Sequence, residues 1–188
     1  IEDSASPIIG KDGKVQGAVI VFRDVTETLD RQKKIEYLSY HDQLTDCFNR
    51  HYYEKVIKDI NKIGNYPLAI ISIDLNNLKL INDTYGHETG DATIHLAAEI
   101  IRKNMPTSEY FFRMGGDEFL IFLPRTSEEA CLAVREKIKA NIVQLGDKGK
   151  HLSLAYGYHV ATEPVKQIQK VIKIADNYMY QNKIKNRP

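Results

Sequence analysis

The stretch Pro67–Leu75, PLAIISIDL, is the strongest constraint on what this chain can fold into. It is apolar without alternation and rich in β-branched residues, the pattern of a strand buried on both faces. A central strand of that kind needs further strands beside it and helices packed over it. The chain supplies both. YFFRM and EFLIFLP read as two more strands, and HLSLAYGYHVA as another. LTDCFNRHYYEKVIKDINK reads as a helix that starts at a cap, and NLKLINDTYGH and TGDATIHLAAEIIRKN as two helices broken near Gly86 and Gly90. Cys131, Val134, Ile138 and Ile142 mark one face of a further helix, and Ile168, Ile172, Ala175 and Met179 stripe the last one. The expected class is α/β (α+β), with a central, mainly antiparallel sheet flanked by helices over about 150 residues.

Ahead of that domain, SPII and VQGAVIVFRDV read as the strands of a hairpin, with Gly10-Lys11-Asp12-Gly13 as its turn. Two strands make no stable core by themselves, so residues 1–26 read as the tail of a larger domain. Residues 27–40 read as a connecting helix, whose Leu29, Ile35 and Leu38 form a narrow seam or simply line a solvated spacer. The first residue, Ile1, falls in mid-phrase, as in a piece of a longer protein, and a membrane segment could precede it.

Bulk properties exclude several classes. A net charge of +1 over 188 residues argues against a duplex nucleic-acid binder. No run reaches the ~18 apolar residues of a membrane span, so no membrane contact is expected of this fragment. The two cysteines, Cys47 and Cys131, stand far apart and read as packed free thiols in a reducing, cytoplasmic setting. His41, His51, His95, His151 and His159 show no ligand spacing.

Between two of the strands lies RMGGDEF, Arg113 to Phe119. Gly115-Gly116 fits a tight turn open to close approach, yet the turn carries adjacent acids, Asp117 and Glu118, whose repulsion needs a cation nearby. A further acid, Asp74, ends the central strand. If the two strands are neighbours, Asp74 and Asp117 converge on oxygen ligation of the kind Mg²⁺ accepts, completed by water and phosphate. Asn76 and Asn77 lead into a helix whose free amides suit a phosphate. The plain alternative stays open on these residues alone: Asp117 and Glu118 as turn residues, and Asp74 as a helix cap.

Taken together, RMGGDEF and DLNNLKLINDTYGHETGD resemble the GGDEF family of diguanylate cyclases. YHDQLTDCFNR is similar to that family's entry motif, D-x-L-T-G-L-x-N-R, and IADNYMYQNKIKNR to its closing helix, A-D-x-A-L-Y-x-A-K-x-x-G-R-N. The four motifs are collinear and spread from Asp42 to Arg187, nearly the whole length of residues 41–188. SPIIGKDGKVQGAVIVFRDVTE resembles the last strands of a PAS sensory domain.

The resemblance implies a fold like the nucleotidyl cyclases and polymerase palms. It also implies an enzyme that joins two GTP into cyclic di-GMP and releases pyrophosphate. By position, Asp74, Asp117 and the Leu75 carbonyl would hold Mg²⁺ (or Mn²⁺), two ions per half-site, and Glu118 would bind metal or place the attacking 3′-hydroxyl. Asn77 and Leu78, with Lys79, would meet the triphosphate. Asn82 and Asp91 would read guanine, and His87 would lie beside the sugar. Gly115 and Gly116 would let substrate approach, and Lys183 and Arg187 would reach the outer phosphates. The resemblance also implies a homodimer governed by an upstream PAS sensor.

Three departures matter. Asp46-Cys47 replace the usual Gly-Leu, LNNLK lacks the commoner acid and aromatic, and Pro106 and Glu109 stand where many cyclases carry the R-x-x-D product-inhibition site. A silent GTP-binding regulator and a hybrid cyclic GMP-AMP synthase are the rivals, and Asp91 speaks against the hybrid.

Overall fold

The computed structural model describes residues 2–11, 13–106 and 110–185, which fall into two compact units divided between Ser39 and Tyr40. In the first, β1 (Glu2–Ile9) and β2 (Val15–Arg23) form the expected antiparallel hairpin, followed by α1 (Thr26–Tyr40). Asp24 starts that helix by accepting the Thr26 amide at 2.9 Å. Val19 and Val21 point to one side of β2, Ile20 and Phe22 to the other, and all four are exposed. Leu29, Ile35 and Leu38 of α1 are exposed as well.

The second unit is built on a five-stranded sheet in the order β3-β5-β6-β4-β7. These are β3 (Phe48–Asn49), β4 (Leu68–Leu75), β5 (Phe111–Gly115), β6 (Glu118–Leu123) and β7 (Leu154–Ala161). The Pro67–Leu75 run is where the sequence put it: β4 is buried along its whole length and pairs antiparallel with β6 and β7. Only the short β3 runs parallel to its neighbour, β5.

The continuous apolar pattern of β4 has a direct cause, since helices cover both faces of the sheet. Ile71, Ile73 and Leu75 enter one core with Ile94, Ala97 and Ile101 of α4 (His87–Asn104) and Cys131, Val134 and Ile138 of α5 (Glu128–Gln144). Leu68 and Ile70 enter the other with Val56 of α2 (Arg50–Val56) and Val171 and Ala175 of α6 (Ile168–Lys185). Alternation along the strand puts Ser72 and Asp74 on this second face, under α6. Cys47 and Cys131 are buried, and burial pushes each thiol up to about 11, so both pack as small apolar residues.

Two helix assignments need correction. Residues 44–62 are not one helix. Asp42 captures the Thr45 amide (2.9 Å) and hydroxyl (2.7 Å), which holds the entry motif in a turn, and α2 begins only after Asn49 caps the Tyr52 amide at 3.1 Å. The pair after β4 breaks once, at Gly86 (φ 88°), between α3 (Leu78–Tyr85) and α4. Gly90 lies inside α4, buried against the side chain of Asn82.

No helix among the described residues is long and apolar enough to cross a membrane. Helix α6 lies tight against the sheet at Gly157, where an added Cβ would overlap Ala175 O and Met179 N, both backbone atoms. Gly157→Ala is therefore expected to lower stability by about 1–3 kcal/mol, the range for overpacking, read from the urea midpoint. An unchanged midpoint would show that α6 lifts off the sheet at little cost.

Candidate active site

The β5–β6 turn and the end of β4 meet as the strand order requires. Asp74 lies opposite Glu118 in the β4–β6 register, and the Leu75 amide donates to the Asp117 carbonyl at 3.0 Å. The tip of the turn is thus hydrogen-bonded to the residue after Asp74. Gly115 (φ 153°) and Gly116 (φ 47°) have backbone angles that side-chain-bearing residues rarely adopt, and a Cβ on either would meet nothing within 4 Å. The space above the turn is open.

Arg113 sets the turn from below. Its Nε and Nη2 donate to the Gly116 carbonyl at 3.1 and 2.8 Å, and its Nη1 donates to Asp42 Oδ1 at 2.9 Å. One guanidinium therefore ties the entry motif to the acidic tip. Burial alone would raise the Asp42 carboxyl. The Thr45 hydroxyl and the Arg113 charge outweigh it and hold the group below its ordinary range.

Asp74 is 4% exposed, and the Lys183 ammonium sits 2.6 Å from its Oδ1. Burial pushes the Asp74 carboxyl up, Lys183 opposes that, and the charges of Asp117 and Asp176 add to the rise, so the net direction is upward. Glu118 moves the same way, through burial first and then through Asp117, Asp74 and Asp176. Asp176 of α6 also accepts the Ser72 hydroxyl at 3.2 Å. Four acids thus share one electrostatic neighbourhood with Lys183.

The loop after β4 is anchored by buried Asn76, whose backbone amide donates to Ser153 O at 2.8 Å and whose side-chain amide donates to Ser153 Oγ at 2.9 Å. Asn77 then turns left-handed (φ 60°, ψ 22°) and opens α3 without a side-chain cap. The first amides of α3, at Leu78 and Lys79, have no carbonyl a turn below to accept them. Asn77 and Lys79 are exposed and Leu78 is half-buried. At the far end of α3, Asn82 Oδ1 is buried with no hydrogen-bond partner among the described residues, beside Gly90 and hence next to Asp91. His87 is exposed in the first turn of α4.

The structure accordingly brings Asp74, Leu75, Asp117, Glu118 and Lys183 together. It sets Asn77, Leu78 and Lys79 on the adjoining loop, and Asn82, Gly90 and Asp91 along the α3–α4 wall. Arg187 and Glu109 lie outside the described residues. Arg113, Asp42, Ser72 and Asp176 carry no role in the reading of the sequence. Arg113 and Asp42 sit inside the quoted motifs, which was the available signal. Among the described residues, no three His, Cys, Asp or Glu side chains are grouped to hold a metal ion unaided. The donor set suits a magnesium ion whose remaining ligands are phosphate and water, since such sites commonly use only one or two carboxylates.

The family described as diguanylate cyclase, GGDEF domain, matches residues 39–188. The probable diguanylate cyclase DgcE of Escherichia coli K12 is 33% identical over 138 residues, covering 72% of this chain and 12% of DgcE. Diguanylate cyclase DosC of the same strain is 32% identical over 154 residues, covering 78% of this chain and 33% of DosC. The chain thus spans a third or less of these relatives' length. The solved GGDEF domain of TpbB (YfiN) from Pseudomonas aeruginosa superposes with a TM-score of 0.61 at 30% identity, covering 78% of this chain and 90% of that one.

The Asp42–Arg113 bridge has a pH signature. Because the folded Asp42 carboxyl is depressed, its stabilising effect is complete above the unfolded value of about 3.9 and disappears as pH falls through the lower folded value. Urea midpoints of wild type and Asp42→Asn should differ by a constant amount from pH 7 down to about pH 5 and converge below about pH 4. A gap independent of pH would remove the charge from the explanation.

Proposed function

Because the chain belongs to the GGDEF family of diguanylate cyclases, we propose that it joins two GTP into cyclic di-GMP. In each of two equivalent steps a ribose 3′-oxygen attacks the α-phosphorus of the other nucleotide. A P–O bond forms, the bond to pyrophosphate breaks, and the hydroxyl proton is lost. The observation that carries this reading is the buried Asp74 carboxylate, opposite Glu118 in the sheet and met by Lys183, beside a turn whose glycines are open to close approach.

Asp74, Asp117 and the Leu75 carbonyl would hold Mg²⁺ or Mn²⁺, and Glu118 would share in metal binding or orient the 3′-hydroxyl. A pair of such ions lowers the pKa of the attacking hydroxyl and neutralises the departing pyrophosphate. The protein's part is positioning and charge. The amides of Asn77 and Leu78, with Lys79, cradle the triphosphate at the start of α3, and Lys183 turns from Asp74 to the outer phosphates, joined by Arg187. Asn82, packed against Gly90 and without a partner for its Oδ1 among the described residues, would turn to the guanine edge when nucleotide binds. Asp91 accepts from the guanine N–H donors, and His87 borders the sugar.

One domain holds one GTP, so product requires two domains facing each other as a homodimer. Residues 1–26 are proposed as the end of a PAS sensor whose input reaches the domain through the helix at 27–40. Asp42, two residues beyond the end of α1, holds Arg113, and Arg113 holds the Gly116 carbonyl at the acidic tip. The need for GTP places the domain in the cytoplasm.

Incubation with GTP and Mg²⁺, followed by nucleotide chromatography, tests the proposal. Cyclic di-GMP and pyrophosphate are expected, with a loss of about 10²-fold or more in Asp117→Ala. GTP bound without turnover would leave a silent regulator, and a mixed product from GTP plus ATP would mean a hybrid synthase. With Pro106 and Glu109 in place of R-x-x-D, added cyclic di-GMP should compete with GTP without strong non-competitive inhibition. Steady-state rates at saturating GTP give the answer.

A further inference from the structure

The end of α6, Tyr180 to Lys185, carries Lys183 but, among the described residues, has no buried side chain. Its hydrophobic residues face outward, with Tyr180 57% and Ile184 50% exposed, and Gln181 and Lys185 are exposed too. Upstream the helix is secure, because Ala175 and Met179 are buried and press against Gly157. A helix end beyond its last packed residue frays readily, since its final carbonyls lack partners. Among the described residues, polar contacts of Lys183 and Asn182 oppose that here. One is the 2.6 Å pair of Lys183 with Asp74. The other is Asn182, whose Oδ1 accepts the Tyr156 backbone amide at 3.2 Å.

That amide has a particular place in the sheet. β7 is the outermost strand beside β4, and Tyr156 lies opposite Ile73 in the register. Its N–H turns away from β4 to the edge, where no strand accepts it. Asn182 supplies the acceptor and in doing so fastens the last turn of α6 to a rigid strand.

The two contacts do not last equally. Under the proposed function, Lys183 leaves Asp74 for phosphate when substrate binds, so that contact is given up at the moment the turn must hold its position. The Asn182 bond involves neither substrate nor acid and persists. We propose that Asn182 is a positioning residue, pinning the last turn of α6 to the β7 edge so that Lys183 meets the outer phosphates of the nucleotide. This rests on the cyclase reading given above.

Asn182→Ala is tested beside Gln181→Ala, a change at the exposed neighbour. Titration calorimetry compares α,β-methylene GTP, which cannot release pyrophosphate, with GMP, which lacks the outer phosphates. Asn182→Ala should weaken the triphosphate analogue about tenfold and GMP by less than about twofold. KM for GTP should rise with kcat little changed, and Gln181→Ala should match wild type. Amide exchange at residues 181–185 should quicken in Asn182→Ala and leave residues 168–179 protected. Equal weakening of both nucleotides, or unchanged triphosphate affinity, overturns the assignment. Unchanged exchange at 181–185 refutes the anchor whatever the nucleotides do. Wild-type protein that binds neither nucleotide sinks the cyclase reading itself, and with it the role for Lys183, while the exchange data still decide whether Asn182 holds the turn.

Discussion

A carboxylate in a buried strand is the constraint around which the domain is arranged. Asp74 is nearly inaccessible, and removing an ionised group from water costs several kcal/mol even after relaxation. The cost must be offset locally, and Lys183 does so at 2.6 Å. The requirement reaches far along the chain, because Lys183 belongs to the last helix and Asp74 to the first long strand of the sheet. Gly157 lets α6 come close enough for that meeting, and the Ser72–Asp176 hydrogen bond lies on the same strand face one step further in. Packing, charge and hydrogen bonding thus fix one helix over one strand.

The acidic tip depends on the sheet in a different way. A glycine pair makes the turn possible and also makes it soft, since glycine gains the most freedom when unpaired. Two sets of bonds remove that freedom. The Leu75 amide holds the Asp117 carbonyl from the β4 side, and Arg113 holds the Gly116 carbonyl from within the hairpin while gripping Asp42. The turn can therefore leave the space above it open and still present its acids in fixed positions, as preorganised charge requires.

Much of this was legible in the sequence, and the failures have physical causes. The uninterrupted β-branched run announced β4, and the apolar stripe of the last helix announced α6, because burial imposes those patterns directly. Residues 44–62 looked like one helix, but Asp42 offers its carboxylate to the Thr45 amide, and that local bond favours a turn over helix. Gly90 looked like a break because glycine is a poor helix former. Its cause is tertiary, since the Asn82 side chain fills the place of a Cβ. Asp74, Asp117 and Lys183 could be named from motif position. Arg113 also stands in a motif, but its role lies in two bonds to the Gly116 carbonyl and one to a carboxylate distant in sequence, which motif position alone does not reveal.

Charge balance links this arrangement to the proposed chemistry. Asp74, Asp117, Glu118 and Asp176 act on one another, and Lys183 is the cation that acts on both Asp74 and Glu118. The neighbourhood is short of positive charge, and burial first, then the neighbouring carboxylates, makes both perturbed carboxyls hold protons more tightly than usual. Under the proposed function, a magnesium–triphosphate complex would correct the imbalance on both sides. Its metal would replace the ammonium against Asp74, and its phosphates would give the displaced ammonium a new anionic partner. Neither exchange strands a buried charge, which is the usual penalty for breaking such a pair. A metal without phosphate would displace Lys183 with nowhere equally favourable to go, and a triphosphate without metal would face uncompensated acids. Metal and nucleotide should therefore bind this site with strong mutual dependence, a consequence of one lysine serving two anions in turn.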